Sequence, residues 1–313
     1  MFPIHHHGAS IKMFHLVHHP DYAAVAPSGS HFPFGKHGMV MIALRESGAA
    51  FVEHRPDPMP RHWLEAVHQP GYVAEVLGLN VPRDKELRIG FPVTAAVARR
   101  SQLAPGGTWL AAQLALEHGY AANSAGGSHH ALADSGAGYC VFNDLAVTAH
   151  RLLAEGDARR ILIVDLDVHQ GDGTALLLAG REDVFTFSMH GEKNFPARKA
   201  VSGLDVALPD GVGDAVYLAE LERHLPGLID RVRPDLILYQ AGVDPHVDDR
   251  LGRLALSDDG LQARDRFVMQ TAVAAGIPLA SVLGGGYDQD VMAVSRRHVR
   301  SILTLAAASL SPA

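Results

Sequence analysis

The chain has 313 residues, 47% of them hydrophobic and 19% charged, with a formal charge of -7 at pH 7. This is ordinary globular material, enough for one large α/β domain or two smaller ones, and its interspersed charges exclude the strongly basic footprint of a nucleic-acid-binding protein. The single cysteine, Cys140, excludes an intrachain disulfide and fits a reducing, cytoplasmic setting, where it reads as a small buried side chain.

Residues 1–12, "MFPIHHHGASIK", lack signal-peptide architecture and read as a short vector-like leader, so His5, His6 and His7 receive no functional weight. "VHHP", with His18 and His19, reads as surface or satisfied core. "TWLAAQLALEHG" is a helix with Thr108 as N-cap and Gly119 as stop. A Gly-rich polar cluster at 125–144 carries the pair His129–His130. "ILIVD" (161–165), "VFTFS" (184–188), "LILYQ" (236–240) and "LASVL" (279–283) are continuous apolar runs, as expected of strands covered on both faces by helices. Among the helices between them, residues 213–232 contain Pro226, which must kink or divide the element, and residues 257–276 start at a Ser257 cap. The most apolar stretch, "TAVAAGIPLASVLGGGY", is broken by Gly276 and Pro278, so no membrane span is expected. The alternation predicts one α/β domain over 13–313, a mostly parallel central sheet with helices on both faces. Its active site belongs at the carboxyl ends of the strands.

Those strand ends are where the chemistry lies. "DLDVHQGDG" puts Asp165, Asp167, His169 and Asp172 within eight positions, directly after an apolar strand. Burying several carboxylates together costs several kcal/mol unless a cation or hydrogen bonds compensate. Asp167 and His169 are two apart on an extended strand end, so their side chains share a face with Asp165. Asp244, in "AGVDPH", supplies a third ligand from another strand end. Two carboxylates and one imidazole with an open position make the catalytic arrangement of zinc, although Fe²⁺, Mn²⁺ or Co²⁺ suit the same donors. Hydrolysis would also need a base, an acid and an oxyanion donor. His129 and His130 fit the first two roles, each oriented by Asp165 or Asp172, and Tyr287 after "GGG" fits the third.

Each motif has a blander reading. A lone Asp-x-Asp after a strand is weak, a tandem His is often core, and "GGGY" alone is a turn. An EF-hand is excluded because Gln170 stands where its turn glycine is required. A Mg²⁺-dependent phosphatase built on "IVDLDV" leaves both histidines and the tyrosine unused. An inert acyl-lysine-binding module would be expected to have lost one of them.

"GGSHHA", "GYCVFND", "DLDVHQGDG", "AGVDPH" and "GGGY" occur in the order found in the histone deacetylase superfamily, which the chain resembles from "HHPDY" to its last helix. "HFPFGKHG", "APGGTWLAAQLALEHGYAANSAGG" and "DRLGRLALSDDGLQARDRFV" make the likeness closest to the class IV branch. The resemblance implies an arginase/deacetylase-like fold and a zinc held by Asp167, His169 and Asp244. His130 is then the general base and later acid, paired with Asp172, and His129 is mainly electrostatic, paired with Asp165. Tyr287 would bond the scissile carbonyl, and Asp165 and Ser188 would hold a monovalent K⁺ or Na⁺. The substrate channel would involve Gly138, Tyr139, Phe195, Gly285 and Gly286. The implied substrate is an acyl-lysine peptide or protein, or alternatively a small acylated amine such as an acetylpolyamine. Ser128 stands where Leu or Phe is more usual and Tyr139 where Phe is common, and the "GEKNFPARK" loop (191–199) also departs from the pattern. These changes bear on the acyl preference, and a longer acyl chain fits.

Overall fold

The structure is a computed structural model describing residues 13–23, 27 and 32–310, so the expected leader lies outside the described residues. In chain order the strands are β1 (Phe14–Val17), β2 (Phe51–His54), β3 (Tyr120–Asn123), β4 (Ile161–Asp165), β5 (Val184–Gly191), β6 (Leu204–Leu208), β7 (Leu236–Gln240) and β8 (Leu279–Val282). The helices are α1 (Lys36–Glu46), α2 (Arg61–Glu65), α3 (Pro70–Leu77), α4 (Arg83–Ile89), α5 (Ala95–His118), α6 (Asp144–Glu155), α7 (Asp172–Leu177), α8 (Asp214–Val232), α9 (Asp258–Ala274) and α10 (Val291–Ser309). The strands form one sheet in the order β2-β1-β3-β8-β7-β4-β5-β6, and every pairing is parallel.

The continuous apolar runs behave as their composition demands. β4 and β7 are buried at every position and divide their side chains by period two. Leu162, Val164, Ile237 and Tyr239 join one core with Leu44 of α1, Leu221 of α8, Val268 of α9 and Ile302 of α10. Ile161, Ile163, Leu236 and Leu238 join the other, under Ala111 of α5 and Leu152 of α6. A third cluster gathers Phe34, Met59, Tyr72 and Phe142 beside the strand ends and packs against Tyr139 and Tyr287. Helices therefore cover both faces of a single domain.

Two expectations need correction, and of the two outcomes expected at Pro226 division does not occur. Thr108 caps nothing, because α5 begins at Ala95, where Thr94 accepts from Val97 N at 3.3 Å. The helix runs through Pro105, Gly106 and Gly107, all buried, because burial against neighbouring segments overrides their weak propensity. Gly119 does end it, at φ 88°. Pro226 leaves α8 undivided. Pro226 and Glu222, whose carbonyl it deprives of a partner, are both exposed, so water can replace that bond. Finally, β4 stops at Asp165, so Asp167 and His169 do not extend a strand. Instead the chain folds back on its own carboxylates: Asp167 N donates to Asp165 Oδ1 at 3.2 Å and His169 N to Asp167 Oδ1 at 3.0 Å.

Candidate active site

Because all the strands run the same way, the loops after β3, β4, β7 and β8 leave the sheet at one edge. Asp167, His169 and Asp244 meet there, all buried. His169 Nδ1 lies 2.9 Å from Asp167 Oδ1 and 3.1 Å from Asp244 Oδ2. The outer oxygens are occupied: Gln240 Nε2 and Gly285 N donate to Asp167 Oδ2 at 2.7 and 2.8 Å, and Val168 N donates to Asp244 Oδ1 at 2.9 Å. The inner oxygens, Asp167 Oδ1 and Asp244 Oδ2, both lie beside His169 Nδ1. Gly285 must be glycine, since a Cβ there would enter the Asp244 carboxylate.

This donor set fits a divalent cation. Burial, and then the neighbouring Asp167, push the Asp244 carboxyl up to about 7. Burial would lower the His169 imidazole, but its bonds to Asp167 and Asp244 hold it up to about 10. A shared proton on Nδ1 stands where a metal ion would relieve the same crowded negative charge.

The two histidines lie on the loop between β3 and α6, held by their backbone. Asp144 accepts from Gly127 N (3.0 Å), Ser128 N (2.6 Å) and Thr108 Oγ1 (2.7 Å). Thr174 N and Asn143 Nδ2 donate to His129 O. His129 Nδ1 meets Asp165 Oδ2 at 2.7 Å, and His130 Nδ1 meets Asp172 Oδ1 at 2.6 Å. A carboxylate at Nδ1 requires a proton there, which leaves each Nε2 to face the site. At His129 burial opposes charge, yet Asp165 and then Asp167 raise the imidazole to about 9. At His130 burial, followed by the charge of His129, lowers it to about 4.

Above these groups opens a cavity of about 370 Å³, with His130, His169 and Tyr287 at its base and Gly138, Tyr139 and Phe195 on its walls. Burial, then Asp167 and Asp244, push the Tyr287 phenol well above its ordinary value, so it is a standing donor. Its backbone N donates to Asp249 Oδ2 at 2.7 Å. The Phe195 ring stands edge-on to His130, 4.8 Å away at 88°. Gly138 and Tyr139 both have positive φ, 51° and 68°, and a Cβ on Gly138 would press on the His130 ring. Two expected channel residues lie elsewhere. Gly285 borders a smaller interior hollow behind the histidines, and Gly286 borders neither cavity, backing onto Val243 and Val294 instead. Both belong to the turn that brings Tyr287 forward. Ser188 pairs in register with Asp165.

The profile of the histone deacetylase domain matches residues 34–303. The chain belongs to the histone deacetylase family. It is therefore a hydrolase of amide bonds. An uncharacterized protein of Picosynechococcus sp. is 48% identical over 91% of this chain and 96% of its own length. Histone deacetylase 2 of Arabidopsis thaliana is 36% identical over 58% of this chain and 48% of its own length. A probable deacetylase of Methanothermobacter thermautotrophicus is 31% identical over 64% and 62%. The match thus spans about half to three fifths of these two named deacetylases. The crystal structure of the HDA15 HD domain superposes with a TM-score of 0.79 over 96% of this chain and 91% of that one, at 21% identity, which shows the shared fold. No helix among the described residues is long and apolar enough to cross a membrane.

The candidate site also contains residues that sequence reasoning passed over. Gln240 orients Asp167, Asn143 and Asp144 pin the histidine loop, and buried Lys36 donates through Nζ to Gly284 O at 2.9 Å. Each was in view: Gln240 is the polar last residue of an apolar run, Asn143 and Asp144 end "GYCVFND", and Lys36 sits in "HFPFGKHG".

Proposed function

We propose that this protein is a zinc-dependent deacylase of the class IV type that releases an acyl group from lysine side chains of peptides or proteins. One observation carries the reading. The Asp167–His169–Asp244 cluster, the His130–Asp172 pair and the Tyr287 ring stand together at the base of a cavity with aromatic walls.

Asp167, His169 and Asp244 would hold the ion, which when bound polarises a carbonyl and acidifies a water. His130, lowered to about 4 and so neutral at physiological pH, takes the proton of the attacking water at Nε2 and returns it to the departing amine. Asp172 keeps the proton on Nδ1 and the ring in place. His129, charged beside Asp165, supplies positive potential where negative charge develops. Tyr287 donates to the carbonyl oxygen as it becomes an oxyanion. Asp165 and Ser188 are the groups suited to a monovalent K⁺ or Na⁺. Tyr139 and Phe195 enclose the methylenes of the lysine side chain. Exposed Phe195 and Leu251 carry this apolar surface out to the mouth, on the lysine side of the scissile amide.

The test is hydrolysis of one lysine peptide carrying acyl chains from acetyl to myristoyl, with and without a chelator. Turnover lost on chelation and regained with Zn²⁺ is the expected result. Turnover indifferent to chelation would remove the ion from the reaction.

A further inference from the structure

The mouth of the catalytic cavity is basic. Arg88, Lys193 and Arg253 line it, and no Asp or Glu among the described residues does. Arg88 lies in the last turn of α4, and its backbone is fixed to the channel wall: its carbonyl accepts from Gly138 N at 3.1 Å, and Ile89 O accepts from Tyr139 N at 2.7 Å. Its guanidinium is exposed and makes no ion pair among the described residues. Lys193 and Arg253 share a single acid, Asp210, at 3.8 and 3.1 Å, with side chains 66% and 55% exposed. Exposed pairs of this kind contribute little, so a competing carboxylate can draw on them. The mouth therefore has an excess of two positive charges over a low-dielectric cavity, a geometry that focuses potential on an incoming anion.

This excess says something about the substrate, granted the proposed reaction at the base. With the scissile amide beside His130 and Tyr287, the lysine methylenes run past Tyr139 and Phe195, and what emerges at the mouth belongs to the amine half. We infer that the preferred substrate carries a carboxylate next to the acylated amine, and that Arg88 and Lys193 select it. Acyl-lysine flanked by Asp or Glu, or acyl-lysine with its own free carboxylate, meets that description. A lysine-rich tail or a polyamine meets repulsion.

The test compares kcat/KM for peptides with one acyl-lysine flanked by Glu, Gln or Lys, and for free acyl-lysine against its amide. At low salt the Glu peptide should exceed the Lys peptide by about tenfold or more, narrowing at about 0.5 M salt as screening shortens. Preference for the Glu peptide puts the carboxylate on a neighbouring residue, and preference for the free acid over the amide puts it on the amino acid itself. Either supports the inference. In Arg88→Gln combined with Lys193→Gln, the Glu-to-Lys ratio should fall toward one. Both side chains are exposed and the Arg253–Asp210 pair is kept, and turnover of the Gln peptide reports an intact centre. Equal kcat/KM for all flanks and for acid and amide, or a preference that survives in the double variant, overturns the inference while the proposed reaction stands. Absence of turnover with every acyl-lysine compound would remove the proposed reaction and this inference together.

Discussion

His129 and His130 are chain neighbours with ring centroids 4.1 Å apart, yet one is held up to about 9 and the other down to about 4. The divergence follows from their partners. Asp165 and Asp167 both act on His129, whereas His130 has Asp172 alone and the positive charge of His129 beside it. One pair of identical side chains thus holds one charged and one neutral imidazole.

Tyr287→Phe removes one hydroxyl from the base of the cavity. We expect kcat to fall by about 10²–10³, with metal content and Tm close to the parent. A variant of undiminished kcat would take the hydroxyl out of the reaction.

Asp172→Asn replaces the acceptor of the 2.6 Å contact with His130 Nδ1, so the ring loses its enforced tautomer. A loss of about 10–100-fold in kcat is expected, with His130→Ala costing more. Joining the two changes should add little to His130→Ala alone, since both act through one imidazole. Independent, multiplying losses in that cycle would separate Asp172 from the histidine.

Chelation should abolish turnover and lower Tm, because the buried carboxylates of Asp167 and Asp244 lose the cation that offsets them. Returning Zn²⁺ at about a hundred times its Kd should restore about 2.7 kcal/mol of stability. Asp244→Asn should show neither the Tm gain nor stoichiometric metal by elemental analysis. A variant that still takes up one ion would shift the site elsewhere.

His68 gives the fold a dependence on pH. Its Nδ1 donates to Leu132 O at 2.7 Å and its Nε2 accepts from Asn143 N at 3.0 Å, so the neutral ring is the one that fits. Burial lowers it from 6.5 to about 4. Between those values the unfolded chain binds the extra proton, so this contribution is complete above about 6.5 and is lost as pH falls toward 4, by about 3 kcal/mol at most. Tm measured from pH 7 to 4.5 should decline more steeply in the parent than in His68→Gln. Parallel curves would contradict the assignment.

What could be read in the sequence follows from local pattern. β4, β7 and β8 were legible because burial on both faces demands unbroken apolar runs. β1, β2 and β3 were not: "FHLV" carries a histidine, "FVEH" is half-buried at the sheet edge and "YAAN" has two alanines at its centre. The first half of α5 was hidden by Pro105-Gly106-Gly107, which looks like punctuation until the surrounding packing is known. At the site, residue type and strand-end position marked the acids, histidines and tyrosine. Spacing left open which carboxylate orients which histidine, and only the family resemblance paired them. Gln240 was visible as a polar strand end, but its partner Asp167 lies too far along the chain for a local pattern to record.

The left-handed backbone at Tyr139 reaches beyond its own side chain. That conformation costs a side-chain-bearing residue about 1 kcal/mol or more, and glycine and asparagine tolerate it best. Here the stacked ring of Phe91, 6.2 Å away and tilted by only 7°, helps offset the strain. The residues most at ease in this backbone are also those that would leave the throat widest. Drift toward bulkier cargo would therefore follow the grain of the main chain, with the reacting groups below left undisturbed.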